Sequence, residues 1–318
     1  MNNMNNMNNM NKKINRRTFL KLQAKNGLFL AASASGLFLP KLSFASTVPD
    51  IGVAKGKTVA ATRAAVELIG GIKSVVKKGH KVLIKPNMSF ERSPEAASNT
   101  HPDVVKTVAA MCKEAGAARV MILDHTLASG KSCIQTSGIG PACEAIDKNM
   151  VHAINDSSFF RHVTIANAKS LKQTEIAKES LKADILIAVP VAKSHSATGV
   201  SLSMKGMMGL IYNRMIMHRM DLNETIVDLA SFLKADLTII DGTRVLSTGG
   251  PGGPGKVIRK DTIIASRDMV AADAYAVAAF EWYGKKFKPT QVRHIKLAHE
   301  RGLGRADIEN LKVKTISI

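Results

Sequence analysis

Short apolar runs alternate along this chain with segments whose apolar residues recur at helical spacing. The runs 82–84 (Val-Leu-Ile) and 120–123 (Val-Met-Ile-Leu) predict two buried strands. Residues 102–115, between them, place five apolar side chains on one helical face, with Pro102 in the first turn and Gly116 at the C-terminal stop. This order predicts a strand–helix–strand unit.

The same alternation continues through the second half of the chain. Residues 185–189, 237–240 and 262–265 predict three more strands, and a polar segment over 192–198 follows the first of them. Helices are predicted after the capping-box-like start at Asp221 and over about 268–280.

Alternating strands and helices predict an α/β fold with a largely parallel sheet and helices on both faces, in one or two lobes. The pattern shows neither an internal repeat nor a linker. We therefore expect a single α/β domain over residues 46–318, with its core at about 80–280.

The first 45 residues have the features of an export signal. An Asn- and Met-rich tail of low complexity covers residues 1–11. Arg16 and Arg17 then precede a modest apolar stretch over 27–39, and residues 43–45 (Ser-Phe-Ala) have the small-x-small pattern that signal peptidase requires. The segment resembles a twin-arginine signal.

A twin-arginine signal implies cleavage after Ala45, the twin-arginine export machinery as a partner, and a periplasmic or otherwise exported protein that folds before export. Clients of that route often acquire a cofactor before they cross the membrane. An ordinary secretory signal or a membrane anchor is the alternative. No later apolar run reaches the roughly 20 residues that a membrane span needs, so no stable span is expected after cleavage.

The net positive charge of the chain indicates which class of ligand it binds. The chain has 45 Lys and Arg against 25 Asp and Glu, and seven of the basic residues but no acid lie in the first 45 positions. The mature chain therefore keeps 38 against 25, a net charge of +13, which favours a small anionic ligand. Nucleic acid is not expected, because no known binding motif is present and the 14 aromatic residues are few for base stacking.

Polar side chains follow each predicted strand. In open α/β sheets, ligands bind beyond the carboxyl ends of the strands. A turn, a cap or a surface ion pair would explain any one of these residues, but their recurrence predicts a site, with Lys85, Asn87 and Asp241 among its binding residues. The full set is Lys85, Asn87, Asp124, His125, Lys193, His195, Asp241, Arg244, Ser266 and Asp268.

Residues 190–220 place two lysines and two histidines among small residues and methionines: Lys193, His195, Lys205 and His218. Histidine is the commonest metal ligand and titrates near neutrality. A lysine among apolar neighbours can have its pKa lowered enough to act as a base, a nucleophile or an attachment point. The alternative is that the methionines fill the core while Lys205 extends to water.

A glycine-rich loop over residues 249–255 is a candidate cofactor-binding element. Gly249, Gly250, Gly252 and Gly253 expose backbone N–H groups, as a phosphate or carboxylate cradle requires. The loop matches neither a P-loop nor a dinucleotide-binding motif, because its prolines remove donors and no Lys-Ser/Thr follows. A lid or a plain tight loop is the alternative.

Three cysteines cannot build a four-cysteine zinc or iron–sulfur site, so no cluster is expected from this chain alone. Cys112 falls near the buried face of the predicted helix over 102–115. Cys133 and Cys143 are candidates for a disulfide in an oxidising compartment.

Several separate motifs, agreeing in order, resemble the family known as domain of unknown function 362. The resemblance covers about residues 80–280, and some members of that family carry iron–sulfur ferredoxin modules. This chain has no such module, so the resemblance implies that any cluster belongs to a redox partner protein. The motifs are Ile84-Lys85-Pro86-Asn87, Thr100-His101-Pro102, residues 189–195, Lys205-Gly206 with Gly209, Asp241-Gly242, the loop 249–255 and residues 265–273.

A second resemblance, to nickel-pincer lactate racemases, suggests individual roles. It implies that Lys205 is the attachment residue of a nickel-containing organic cofactor and that His218 ligates the metal, with His195 beside it. His101 and His195 would then be the acid–base pair, because histidines supply pKa values near the working pH. The chain departs from that family in having residues 202–204 (Leu-Ser-Met) where a glycine pair usually precedes the lysine.

Together these features predict an exported enzyme that acts on a small anionic substrate with a transition metal or a metal-containing organic cofactor, by redox or proton-transfer chemistry. Its catalytic candidates are His101, Lys193, His195 and Lys205. The alternative is a non-catalytic binding or maturation protein that serves a metal-, iron–sulfur- or cofactor-containing redox partner.

Overall fold

The structure is a computed structural model that describes residues 48–318. The predicted signal segment, residues 1–45, and its cleavage position lie outside the described residues.

Ten of the described strands form one sheet, and two form a separate antiparallel ribbon. In the large sheet the order is β12-β1-β11-β10-β7-β2-β3-β4, and β8 and β9 form a hairpin in which β8 pairs with β10. The strands are β1 (Ile51–Lys55), β2 (Lys81–Pro86), β3 (Arg119–Asp124), β4 (Val151–Ala153), β5 (Phe160–Thr164), β6 (Gln173–Ala177), β7 (Ile185–Val189), β8 (Val191–His195), β9 (Gly199–Ser201), β10 (Leu237–Leu246), β11 (Val257–Ser266) and β12 (Val313–Ser317).

Helices cover both faces of the sheet, as the alternation of elements predicts. They are α1 (Thr58–Leu68), α2 (Pro102–Glu114), α3 (Gly130–Thr136), α4 (Ile139–Glu144), α5 (Lys178–Lys182), α6 (Ser203–Gly206), α7 (Met215–His218), α8 (Leu222–Phe232), α9 (Met269–Ala279) and α10 (Arg293–Glu300). Short 3-10 turns lie between them, including one over Met207–Leu210.

Alternation along the strands explains why there are two core layers. Val82 and Ile84 of β2 pack with α1, α2 and α4, whereas Leu83 between them packs with α6, α8, α9 and α10 on the other face. Both faces of the central strands are therefore buried, which explains why these strands are continuous apolar runs in the sequence.

The sheet is largely parallel, as predicted, with antiparallel pairing at one side. Strands β10, β7, β2, β3 and β4 run parallel to one another in that order. Strand β11 runs antiparallel to β10 and to β1. Because β11 runs in the opposite direction, its carboxyl end lies at the other end of the sheet from the carboxyl ends of β2, β3 and β7.

Two strand predictions require correction. The segment identified from the sequence only as polar, 192–198, forms most of strand β8 and its turn into β9, and its lysine, serine and histidine are buried against the rest of the protein. Strand β10, predicted to end at Ile240, continues to Leu246 through a register shift between Gly242 and Arg244.

The starts of helices α8 and α9 agree with the sequence pattern. The side chains of Asp221 and Asp268 accept backbone N–H bonds at the first turns of α8 and α9, as N-caps do. Cys133 and Cys143 are buried free thiols in the described structure, so the candidate disulfide is not formed there. Within residues 48–318, every helix is too short or too polar to span a membrane.

Candidate functional site

A cleft of about 360 Å³ opens where β2 and β3 end and β8 passes beside them. The segment 205–218 forms the facing wall, and Pro251 of the glycine-rich loop reaches its edge. The residues that line it are Lys85, Asn87, Ser89, Phe90, Asp124, His125, Thr126, Leu127, Lys193, His195, Ser201, Lys205, Gly206, Met208, Gly209, Tyr212, Asn213, Arg214, Met215, His218 and Pro251.

A buried ion pair lies at the base of the cleft. The Lys85 Nζ atom is 3.0 Å from Asp124 Oδ1 and donates a 2.5 Å hydrogen bond to the carbonyl of Pro86. The other carboxylate oxygen of Asp124 accepts bonds from the Met88 N–H and the Ser89 hydroxyl. Both charged side chains are almost fully buried, and burial lowers the pKa of Lys85 although Asp124 opposes the shift. One oxygen of Asp124 thus accepts two hydrogen bonds, whereas the other makes the ion pair with Lys85 and accepts no hydrogen bond from the described residues.

Gly209 explains how the facing wall comes so close to this pair. A Cβ atom at Gly209 would lie 2.1 Å from Asp124 Oδ1 and 2.7 Å from Lys85 Nζ. The Gly209 carbonyl also accepts a hydrogen bond from the His125 backbone N–H. A residue with a side chain would push the wall away from the ion pair. The close approach of the wall at position 209 therefore depends on the absence of a Cβ atom.

Lys193 and Lys205 are two further buried amines without a carboxylate of their own. Lys193 Nζ donates to the Ser98 carbonyl and lies 4.9 Å from the centre of the Phe90 ring. Among residues 48–318, the hydrogen-bond partner of Lys205 Nζ is the Met208 sulfur, at 3.6 Å, which is a weak acceptor. Burial lowers the pKa of Lys193 to about 7 and that of Lys205 to about 8. Both amines are therefore poised to exchange protons near neutral pH.

His195 is a neutral hydrogen-bond donor in this arrangement. Its Nδ1 accepts the backbone N–H of Ala197, so the neutral ring carries its proton on Nε2. Burial, with help from the positive charge of Lys205, lowers its pKa to about 3 and keeps the ring neutral. The ring of His218 is nearly parallel to that of His195, with centroids 6.4 Å apart, and the pKa of His218 is lowered by burial and then by Lys205 and Arg214.

Arg214 adds a fourth cation and joins the two sides of the cleft. Its Nη2 donates to the carbonyls of His125 at 2.6 Å and of Thr126 at 3.3 Å. Four cationic side chains thus face a cleft in which, among the described lining residues, Asp124 is the single carboxylate. Since Asp124 is already paired with Lys85, the cleft has an excess of positive charge.

The donor set does not fit a transition metal held by side chains alone. Ligation through Nε2 of His195 would require its proton to move to Nδ1, where it would oppose the Ala197 N–H. Among residues 48–318, no group of three or more His, Cys, Asp or Glu side chains could hold a metal ion. The expected pair of His195 and His218 therefore does not by itself form a metal site.

The structure brings six of the predicted site residues together and places the others, His101, Asp241 and the four glycines of the loop, outside the lining of the cleft. Lys85, Asn87, Lys193, His195, Lys205 and His218 all line the cleft. His101 does not: it caps the start of α2, where its Nδ1 accepts the Asp103 N–H. Asp241 does not either, because its carboxylate binds the His101 N–H and the N–H and hydroxyl of Thr243. Asp241 lies within an extended strand rather than at its end.

The predicted glycine cradle is also absent from the cleft wall. The Gly250 N–H donates to the Ser194 hydroxyl, and the Gly253 N–H donates to the Gly249 carbonyl. A Cβ at Gly252 would lie 2.8 Å from the Phe90 ring. Gly250 and Gly252 therefore allow close packing of the loop against β8 and Phe90, and the loop reaches the cleft through Pro251.

Two strand-end candidates lie elsewhere because β11 is antiparallel. Ser266 donates to the Asp50 carbonyl, and Asp268 caps α9. Conversely, Arg214 and Phe90 line the cleft although the sequence pattern does not predict them there. Arg214 falls between Lys205 and His218, the segment already singled out, but one arginine in a basic chain gives no signal of its own.

The sequence profile of one family, described as "Domain of unknown function (DUF362)", matches residues 82–278, which is more than half of the chain. The match begins at β2 and ends within α9, so it contains every strand and helix that lines the cleft.

Two individual proteins are similar to the chain. A thylakoid-associated protein of Synechocystis sp. is 29% identical over 233 residues, which are 69% of this chain and 68% of that protein. The lactate racemase apoprotein from Thermoanaerobacterium thermosaccharolyticum aligns in structure with a TM-score of 0.43 and 15% identity, over 68% of this chain. The chain spans about half, 53%, of the length of that structure.

Proposed function

The chain belongs to the domain of unknown function 362 family, a name that assigns no reaction, and from its cleft we propose that it is an enzyme that transfers a proton to and from a small anionic substrate. One observation carries the proposal: among the described lining residues, three basic side chains, Lys193, Lys205 and Arg214, face the cleft without a carboxylate partner. Buried cations without partners destabilise a fold, and an anionic ligand supplies the missing charge.

The protonation state of each residue determines its proposed role. Arg214 and Lys193 hold the anionic group of the substrate. The neutral amine of Lys205, whose pKa of about 8 lies close to neutrality, takes a proton from the carbon next to that group. The Nε2–H of His195 donates to the substrate oxygen on which negative charge then develops. Return of the proton from Lys205 completes the cycle.

Deuterium exchange tests this proposal directly. 2-Hydroxy acids and other carboxylates that carry hydrogen on the carbon next to the carboxylate are incubated with the protein in D₂O, and loss of carbon-bound hydrogen is followed by ¹H NMR. We expect exchange in at least one compound. Lys205→Met removes the amine at nearly constant length and should abolish that exchange, whereas the matched surface variant Lys106→Met should retain it. Exchange that persists in Lys205→Met contradicts the role given to Lys205.

A non-catalytic binding or maturation protein is the competing function, and the same cleft supports it because charge complementarity alone holds an anion. That function predicts stoichiometric binding of an anionic ligand with no exchange in any compound. Binding measured by calorimetry on the same compounds, beside the NMR result, separates the two functions.

The expected cofactor is a separate proposal. Lys205 is buried, lines the cleft and, among the described residues, binds only a sulfur atom, so an organic group attached at its Nζ would meet no competing hydrogen bond there. The intact mass of the protein purified anaerobically from its native host tests this. An added mass that maps to Lys205 supports a covalent cofactor, and an unmodified chain leaves the amine itself as the reactive group.

We propose export through the twin-arginine route on the basis of Arg16, Arg17 and the Ser-Phe-Ala sequence at 43–45. The thylakoid association in the name of the Synechocystis relative supports a location beyond, or at, an internal membrane. Replacing both arginines by lysine should hold the uncleaved chain in the cytoplasm, as seen by cell fractionation and mass. Export of that variant at the normal level contradicts the proposal.

A further inference from the structure

The mouth of the cleft carries exposed apolar side chains. Leu127 and Met215 both line the cleft, and they are 60% and 58% exposed. Ile216 and Met220, in the segment that follows Met215, are 38% and 43% exposed. Single exposed apolar residues are ordinary on protein surfaces, but a group at the entrance of a polar cleft is typical of a binding surface.

The backbone that presents Leu127 and Met215 is fixed. Arg214, which precedes Met215, donates to the carbonyls of both residues before Leu127, His125 and Thr126. The Leu127 N–H donates to the Ser89 carbonyl at 2.9 Å. The two exposed side chains therefore belong to two segments held together at one entrance.

Apolar side chains also connect this entrance with the cations inside. Phe90, Met208 and Tyr212 also line the cleft, where the Phe90 ring centre lies 4.9 Å from Lys193 Nζ and the Met208 sulfur lies 3.6 Å from Lys205 Nζ. The Tyr212 ring stacks on His125 with centroids 5.8 Å apart and planes 7° from parallel, which holds the ring in place. The cleft therefore changes from a cationic interior to an apolar mouth.

We propose that the ligand of this cleft is an amphiphilic anion, with an anionic head among Lys193, Lys205 and Arg214 and an alkyl or isoprenoid chain of several carbons that leaves across Leu127 and Met215. The inference rests on the proposed function as an anion site and adds the class of ligand. A small anion alone would leave the apolar entrance exposed in the complex, whereas a chain of several carbons covers it. Burial of that chain contributes to affinity in proportion to its length.

A homologous series of n-alkyl phosphates, from methyl to octyl and each below its micelle-forming concentration, tests the proposal by calorimetry. We expect the dissociation constant to fall roughly fourfold for each methylene that is buried, and then to level off. In the double variant Leu127→Ser with Met215→Ser, the affinity should level off at a shorter chain than in the native protein, because only the carbons that contact Phe90, Met208 and Tyr212 still contribute. The control Val59→Ser, at an exposed apolar position on α1, should keep the full dependence on chain length.

The outcomes distinguish this inference from the function on which it rests. Equal affinity across the series in the native protein overturns the amphiphilic ligand but leaves the anion site intact. Failure of every phosphate to bind contradicts the anion site itself. Without a chain-length effect, co-sedimentation of the native protein, but not the double variant, with phosphatidylglycerol vesicles would show that a membrane surface covers Leu127 and Met215 and would overturn the proposal.

Discussion

At the scale of single residues, Gly209 offers a sharp test of how the cleft is built. Gly209→Ala places a Cβ 2.1 Å from Asp124 Oδ1, so the buried pair with Lys85 must shift. We expect the free energy of unfolding to fall by roughly 1–3 kcal/mol, as for other overpacked sites, and phosphate binding to weaken.

Gly206→Ala is the matched control, because the nearest atom to its added Cβ is 3.9 Å away, Asn87 Nδ2. Urea denaturation and calorimetry compare the two variants. Equal effects at both glycines would contradict the close approach that we assign to position 209.

The two lysines with lowered pKa values predict a pH-dependent stability. Each titrates at 10.5 when unperturbed, but at about 7 for Lys193 and about 8 for Lys205 in the folded protein. Between about pH 7 and 10 the unfolded chain therefore binds more protons than the folded chain, so the free energy of unfolding rises with pH across that range. Below pH 7 the full cost of burying both charges is present.

Lys205→Met should remove part of this cost. At pH 6.5 we expect the variant without ligand to be roughly 1–4 kcal/mol more stable than the native protein, with a smaller rise in stability toward pH 9.5. The exposed control Lys106→Met should change stability by no more than about 0.5 kcal/mol at either pH. Urea denaturation at both pH values measures the difference, and a Lys205→Met variant less stable at pH 6.5 would contradict it.

At the scale of elements, short helix α6 depends on a carboxylate from another helix. It has four residues, Ser203–Gly206, and carries Lys205. Asp273 of α9 accepts the N–H groups of Ser203 at 2.9 Å and Met204 at 3.0 Å. Burial raises the pKa of this carboxyl to about 7, although these bonds oppose the shift. The position of Lys205 therefore depends on a residue outside the cleft.

Asp273→Ala should leave two buried N–H groups without an acceptor. We expect a loss of roughly 2–5 kcal/mol in stability together with at least tenfold weaker phosphate binding, since Lys205 loses its fixed position. Asp221→Ala, which removes the cap of α8, should cost about 1 kcal/mol and leave phosphate affinity unchanged. Thermal unfolding and calorimetry on both variants decide; unchanged affinity in Asp273→Ala would show that α6 holds Lys205 without its cap.

The hairpin of β8 and β9 shows where sequence patterns fail at this scale. The sequence places Lys193, Ser194 and His195 in a polar segment, and polar residues ordinarily face water. They are instead 3%, 0% and 5% exposed, since this strand lines the cleft and packs under the glycine-rich loop. Strands are recognised in a sequence by their apolar residues. A strand that carries polar residues into a binding cleft lacks that pattern, so it is not recognised.

At the scale of the whole molecule, the rule for ligand sites in α/β sheets located the cleft. The parallel direction of β2 and β3 brings Lys85, Asn87 and Asp124 to one edge, as their positions after apolar runs predict. The rule misplaced Ser266 and Asp268, because strand direction cannot be read from an apolar run and β11 is antiparallel. Arg214 was missed because a long-range contact, not a local pattern, brings it to the site.

The charge of the assembled cleft predicts how the whole fold responds to anions. A ligand that binds only the folded state at a hundredfold excess over its dissociation constant stabilises that state by about 2.7 kcal/mol. For a domain of this size that corresponds to an increase of roughly 5–10 °C in Tm. We therefore expect phosphate, at saturating concentration and pH 6.5, to raise Tm by that amount over chloride at equal ionic strength.

The double variant Lys193→Met with Lys205→Met separates this effect from general salt stabilisation. Without ligand it should be at least as stable as the native protein, because it no longer buries two unpartnered cations. It should also lose the difference between phosphate and chloride, since Arg214 is then the only unpartnered cation among the described residues of the cleft. Differential scanning calorimetry measures the Tm of the native protein and of the double variant, each in phosphate and in chloride. If phosphate raises the Tm of the double variant as much as that of the native protein, the anion acts elsewhere on the basic surface, and the cleft is not its site.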